Sequence, residues 1–113
     1  MPYIKTTTNV SVSAEKEETI KKELGQAIEI IPGKSERWLM ISIEPDSRMF
    51  FHGDNSKMAF VEVSIFGKAS PRDYQSLTSK ITEILSKELG IEPAYIYVKY
   101  EESSYWGWNG SNF

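Results

Sequence analysis

Each structural signal in this chain occurs twice, 57 residues apart. Ser13 matches Ser70, Gly33 matches Gly90, Trp38 matches Tyr95 and Glu44 matches Glu101. Between each serine and its glycine runs one helical period. Ile20, Leu24, Ala27, Ile28 and Ile31 share a face in the first copy, and Tyr74, Leu77, Ile81, Ile84, Leu85 and Leu89 share one in the second. A serine at the head of a helix accepts the free backbone N–H groups of the first turn, and a glycine at the foot takes the left-handed conformation that ends it. Pro71 stands at the favoured first helical position, and Asp73 gives a capping-box-like start. Strands are predicted at 2–8 and 38–44 around the first helix, and at 58–66 and 95–101 around the second. The pattern is β-α-β, repeated.

Two right-handed β-α-β crossovers in tandem predict an α+β fold: one four-stranded mixed sheet with both helices on the same face. We expect residues 1–113 to form a single domain, with pseudo-repeats of about 1–57 and 58–113. Alternation assigns the faces. Leu39, Ile41, Ile43, Val61, Val63, Ile65, Ile96 and Val98 form an aliphatic set for the helices to cover. The other face carries Trp38, Met40, Phe60, Phe66, Tyr95 and Tyr97 beside Ser42, Glu62, Ser64 and Lys99. That face is too aromatic to stay in water as one patch, so a second copy of the chain is its expected cover, with clefts where subunits meet. Residues 48–57, with Phe50, Phe51, His52 and Gly53, read as a turn between the halves. The aromatic, glycine-rich tail 105–113 reads as a clasp for a neighbouring subunit. Most of these aromatics are equally accounted for as glue between subunits, without catalytic duty.

Composition narrows the chemistry. Net charge is −3 with cations scattered along the chain, which excludes a nucleic-acid footprint. No apolar run is long enough for a bilayer span and no signal-peptide pattern opens the chain, so the expected location is the cytoplasm. With no cysteine there are no disulfides, thiolate nucleophiles or Cys-ligated metals. The single His52 has no partner at ligand spacing, and neither a metal nor another cofactor is expected.

Pro2 stands directly behind Met1. Methionine is usually trimmed before a small residue, which would leave a free secondary amine at the head of the chain. An α-amine titrates near ~8, and burial or a nearby cation lowers it toward neutrality, where a general base works best. On its own, Pro2 is better read as protection of the N-terminus from processing.

Over nearly its whole length the sequence resembles the macrophage migration inhibitory factor branch of the tautomerase superfamily. The residues that carry the resemblance are Met1-Pro2 with a strand ending Thr8-Asn9-Val10, Pro32-Gly33-Lys34, Pro45-Asp46 and Phe51-His52-Gly53. Ile91-Glu92-Pro93, the Tyr97 strand and Gly107-Trp108-Asn109-Gly110-Ser111 complete the set. The resemblance implies a homotrimer with three sites at subunit interfaces. It also implies keto–enol tautomerisation of arylpyruvates such as phenylpyruvate and of dopachrome-like compounds, with leaderless secretion and a protein receptor as further family traits. It implies Pro2 as base and Lys34 as the carboxylate-binding cation, and Tyr97 supplied to the substrate by the adjacent subunit. Trp38, Phe66, Trp106 and Phe113 fall on pocket-lining positions. An ammonium at Lys34 would favour enolate charge and lower the Pro2 pKa. Read without the resemblance, Lys34 is a cation placed at a helix C-terminus.

Departures bear on the substrate. Lys99 stands where the mammalian member has asparagine near the carboxylate, and either tightens that contact or fills the site with its stem. Phe66 and Trp106 replace smaller aliphatic residues. The family's Cys-x-x-Cys is absent, with Met58, Ala59, Phe60 and Val61 in its place. Arg37 lies near Lys34 in sequence and reads as a solvated side chain at a strand entrance. Two other readings are a non-enzymatic, cytokine-like interaction protein and a plain assembly domain built on the same sheet.

Overall fold

Pro32 decides where the first helix stops. The computed structural model describes residues 1–113, and in it helix α1 spans Ala14–Ala27 and tightens into a 3-10 turn at Ile28–Ile30. A residue before proline is pushed out of the helical region, and Ile31 is extended at φ −83°, ψ 116°. The second half has no such proline. Helix α2 runs Pro71–Leu89 and ends at Gly90 in the left-handed conformation, φ 68°. Thus the first helix is shorter than the repeat predicts, and Gly33 (φ 81°) turns the chain beyond it rather than capping it. Both serine caps form: Ser13 Oγ accepts from Lys16 N–H and Ser70 Oγ from Asp73 N–H, each at 3.1 Å.

The strands are β1 (Pro2–Thr8), β2 (Met40–Glu44), β3 (Ala59–Phe66) and β4 (Ile96–Ser103), in the order β2-β1-β3-β4. β1 pairs parallel with β2 and β3 parallel with β4, and the two repeats join through an antiparallel β1–β3 pair. This is the mixed four-stranded sheet that the repeat predicts. Trp38 and Tyr95 do not begin strands as expected. Each closes a 3-10 turn, at Glu36–Trp38 and Pro93–Tyr95, so the 57-residue correspondence survives in a different conformation.

The core lies between the sheet and the two helices. Ile4, Val61, Val63 and Ile65 meet Ile20, Leu24, Leu77, Ile81 and Leu85, all at or below 1 % exposure. The opposite face of the sheet carries no helix, and Met40 and Tyr97 stand exposed on it.

The tail departs from expectation. It folds onto its own chain as a hairpin of β5 (Gly107–Trp108) and β6 (Ser111–Asn112). Asn109 and Gly110 both have positive φ, 52° and 81°, as a two-residue type I′ turn requires. Phe113 N–H donates to the Trp106 carbonyl at 3.0 Å, fixing the last residue.

Candidate active site

The strand directions bring the starts of β1 and β2 and the ends of β3 and β4 to one end of the sheet. Pro2 opens β1, where the missing N–H of a proline breaks no ladder bond. Its ring is buried on the helix-facing side, in register with Ile65. An open cleft of about 1100 Å³ lies at this end, lined among others by Met1, Pro2, Trp38, Trp106 and Trp108.

Lys34 reaches the same place from the turn after α1. Its backbone N–H donates to the Ile31 carbonyl at 3.1 Å, and its Nζ donates to the Phe66 carbonyl at 2.9 Å. Phe66 N–H in turn donates to the Met1 carbonyl at 3.0 Å. Three segments distant in sequence are thereby tied around the N-terminus. The electrostatic result is a depressed amine: burial, then the charge of Lys34 and its hydrogen bond, hold the Met1 α-amino group below its ordinary 8.0. The Pro2 nitrogen is the next backbone nitrogen in the chain. While Met1 is attached it is a tertiary amide with no basic lone pair, and removal of Met1 converts it to a secondary amine.

The aromatic wall is continuous. Trp38 meets Trp108 edge-on at 5.0 Å between ring centroids, Trp108 stacks on Phe113 at 6.4 Å, and Phe113 meets Phe66 at 5.6 Å. Arg37 lies over the Trp38 ring, its guanidinium carbon 5.2 Å from the centroid. Arg37 is on the Glu36–Trp38 turn and lines the cleft, whereas the sequence reads it as a solvated residue at a strand entrance.

Of the residues singled out from the sequence, Pro2, Trp38 and Trp106 line the cleft directly. Lys34, Phe66 and Phe113 are one contact removed from it, through Met1 and Trp108. Lys99 reaches the cleft only through Glu101, which lines it, and Tyr97 does not line it. Tyr97 is 55 % exposed at the opposite end of the sheet, against Phe51 (4.9 Å) and Phe60 (6.2 Å). It lies four positions along β4 from Glu101, the nearest residue of that strand to line the cleft, about 13 Å at ~3.3 Å per residue. Lys99 is held by Glu101 at 3.1 Å and Glu62 at 3.8 Å, over the Phe60 ring. Trp108, Tyr105 and Arg37 line the cleft without having been singled out for it. For Trp108 the signal was in the sequence, because Asn109-Gly110 between short segments marks a hairpin.

No group of three His, Cys, Asp or Glu side chains converges as a metal site, and no helix is long and apolar enough to cross a membrane. With Met1 removed, a prolyl amine beside a fixed ammonium and an aromatic wall would have the groups to bind an aryl acid and move a proton.

Comparison with known proteins agrees with this geometry. The family model described as macrophage migration inhibitory factor (MIF) matches residues 1–113. The macrophage migration inhibitory factor of Mus musculus is 30 % identical, over 100 % of this chain and 99 % of that protein. Among solved structures, Leishmania major MIF2 superposes with a TM-score of 0.94 at 30 % identity, covering 100 % of this chain and 97 % of that one. The macrophage migration inhibitory factor homologue from Prochlorococcus marinus superposes with a TM-score of 0.82 at 26 % identity, covering 98 % of each.

Proposed function

This chain belongs to the macrophage migration inhibitory factor family of the tautomerase superfamily, and on that premise we propose that it is a keto–enol tautomerase of arylpyruvates such as phenylpyruvate, working through Pro2. Dopachrome-like compounds are the second substrate class. The observation that carries this reading is the placing of Lys34 beside the chain's N-terminus at the cleft, where burial first and the Lys34 ammonium second depress the amine of the residue before Pro2.

With Met1 removed, the neutral prolyl nitrogen takes a proton from the carbon next to the substrate carbonyl. The electron pair moves onto the carbonyl oxygen as an enolate, which takes a proton from water to give the enol while the prolinium returns its proton to solvent, so the neutral amine is restored. The reverse path returns the proton from prolinium to carbon. Lys34 binds the substrate carboxylate and stabilises the enolate charge. Trp38, Trp106, Phe66 and Phe113 stack the aryl ring and keep water from the amine. Tyr97 completes the site from a neighbouring subunit of a homotrimer, since within one chain it stands at the opposite end of the sheet from Pro2.

The test is turnover of phenylpyruvate by chain whose intact mass lacks Met1, against Pro2→Gly. Turnover that disappears in the variant supports the proposal; a Pro2→Gly variant with full activity refutes it. A cytokine-like interaction protein is the second reading. Its specific support is exposed apolar surface outside the cleft, with Phe50 76 % exposed. A trimmed, trimeric chain that neither binds nor turns over phenylpyruvate would favour it.

A further inference from the structure

The cleft contains a cation that the proposed chemistry does not use. Arg37 follows Lys34 by three residues, has its guanidinium carbon over the Trp38 ring at 5.2 Å from the centroid and lines the same cleft as Pro2. A guanidinium stacked on an aromatic face keeps its N–H groups free at its edge, and that planar fork suits a carboxylate. No carboxylate of the chain lies within ion-pair distance of Arg37, although three acids are near it in sequence or cleft. Glu36, its neighbour, is turned the other way: its carboxyl carbon would sit 2.6 Å from a Cβ placed on Gly25, which packs it onto α1. Glu101 is engaged by Lys99 at 3.1 Å. Glu102 accepts from the Tyr74 hydroxyl at 2.7 Å, an interaction that together with burial pushes the Tyr74 phenol up to about 12. Lys34 gives one of its three N–H donors to the Phe66 carbonyl and lies beside the N-terminus, which leaves donors for one carboxylate.

We propose that Arg37 binds a second anionic group on the substrate, so that the cleft prefers aryl keto acids carrying an additional carboxylate at the far end of the side chain. This rests on the keto-acid reading above for the identity of the substrate, but not for the binding itself. Lys34 takes the carboxylate beside the reacting carbonyl. Arg37, on the outer wall formed by Trp38, takes the distal one. Phenylpyruvate, with one charge, leaves Arg37 without a partner.

The test uses unreactive analogues, so binding is read apart from turnover. Cinnamate and 4-carboxycinnamate are titrated against the trimmed protein by tryptophan fluorescence, which reports directly on Trp38 and Trp108. We expect wild-type chain to bind the dianion more tightly, and the ratio of the two dissociation constants to fall about tenfold in Arg37→Gln, the size of one charge-assisted hydrogen bond. A ratio that the substitution leaves unaltered, or a wild-type preference for cinnamate, overturns the assignment. If the dianion binds through Arg37 but phenylpyruvate is not turned over, the tautomerase proposal fails and the anion site stands.

Discussion

Thr6 and Thr8 lie two residues apart on β1, on the same helix-facing side, and should respond oppositely to the same substitution. Both are buried, at 1 % and 0 % exposure. Thr6 Oγ1, in register with Ile43 and Val61, has no hydrogen-bond partner. Thr8 Oγ1 has two, donating to the Met58 carbonyl at 2.7 Å and accepting from Val10 N–H at 3.1 Å. A buried unsatisfied hydroxyl costs about 1–3 kcal/mol in desolvation, and valine has the same shape with a methyl in its place. Thr6→Val should therefore stabilise by about 1–2 kcal/mol, or raise the Tm by roughly 4–8 °C for a chain of this size. Thr8→Val removes two bonds and strands a carbonyl and an N–H, which should cost about 2–3 kcal/mol. Thermal and urea melts at one fixed protein concentration are the assay, because association shifts apparent stability by mass action. The reasoning is refuted if the two variants move in the same direction, or if Thr6→Val melts below wild type.

Three further outcomes concern the site. Lys34→Ala should lower kcat/KM for phenylpyruvate by roughly 10²-fold, as loss of a group facing developing negative charge does. Because a nearby ammonium disfavours the protonated amine, removing it raises the pKa of the base. The acid limb of the pH–rate profile should thus move to higher pH in Lys34→Ala and less in Lys34→Arg; an unmoved limb in Lys34→Ala contradicts the assigned role. If Tyr97 serves the neighbouring site, Pro2→Gly and Tyr97→Ala chains, each impaired alone, should regain activity when refolded together, and no recovery would argue that each chain works alone. Gly110→Ala forces a side chain into φ 81°, costing about 1–2 kcal/mol, and should loosen Trp108 and Phe113 enough to raise KM; a KM equal to wild type would remove the hairpin from the binding wall.

The duplication was legible because each half carries its own caps and its own period. Ser13, Ser70 and Gly90 do what their chemistry predicts. The places where the halves diverge were harder to read. Pro32 ends α1 early, a signal present in the sequence but outweighed there by the symmetry with Gly90. Trp38 and Tyr95 read as strand residues since aromatics favour strands, yet local i→i+3 hydrogen bonds take them into turns. Asn109-Gly110 specifies a hairpin in the tail, which packs Trp108 and Phe113 on their own chain while leaving both half-exposed toward any neighbour. Lys34 stands beside the Met1 amine and the Phe66 carbonyl. The role of Arg37 was invisible, because nothing in a sequence tells which of three nearby acids is already occupied.

The central claim is that the free nitrogen of Pro2 is the base. The most direct measurement compares phenylpyruvate turnover by two preparations defined by intact mass, one beginning at Pro2 and one retaining Met1. The account predicts turnover with an acid limb set by a single amine in the first, and loss of turnover in the second, where that nitrogen is an amide. Equal turnover by the two would contradict it.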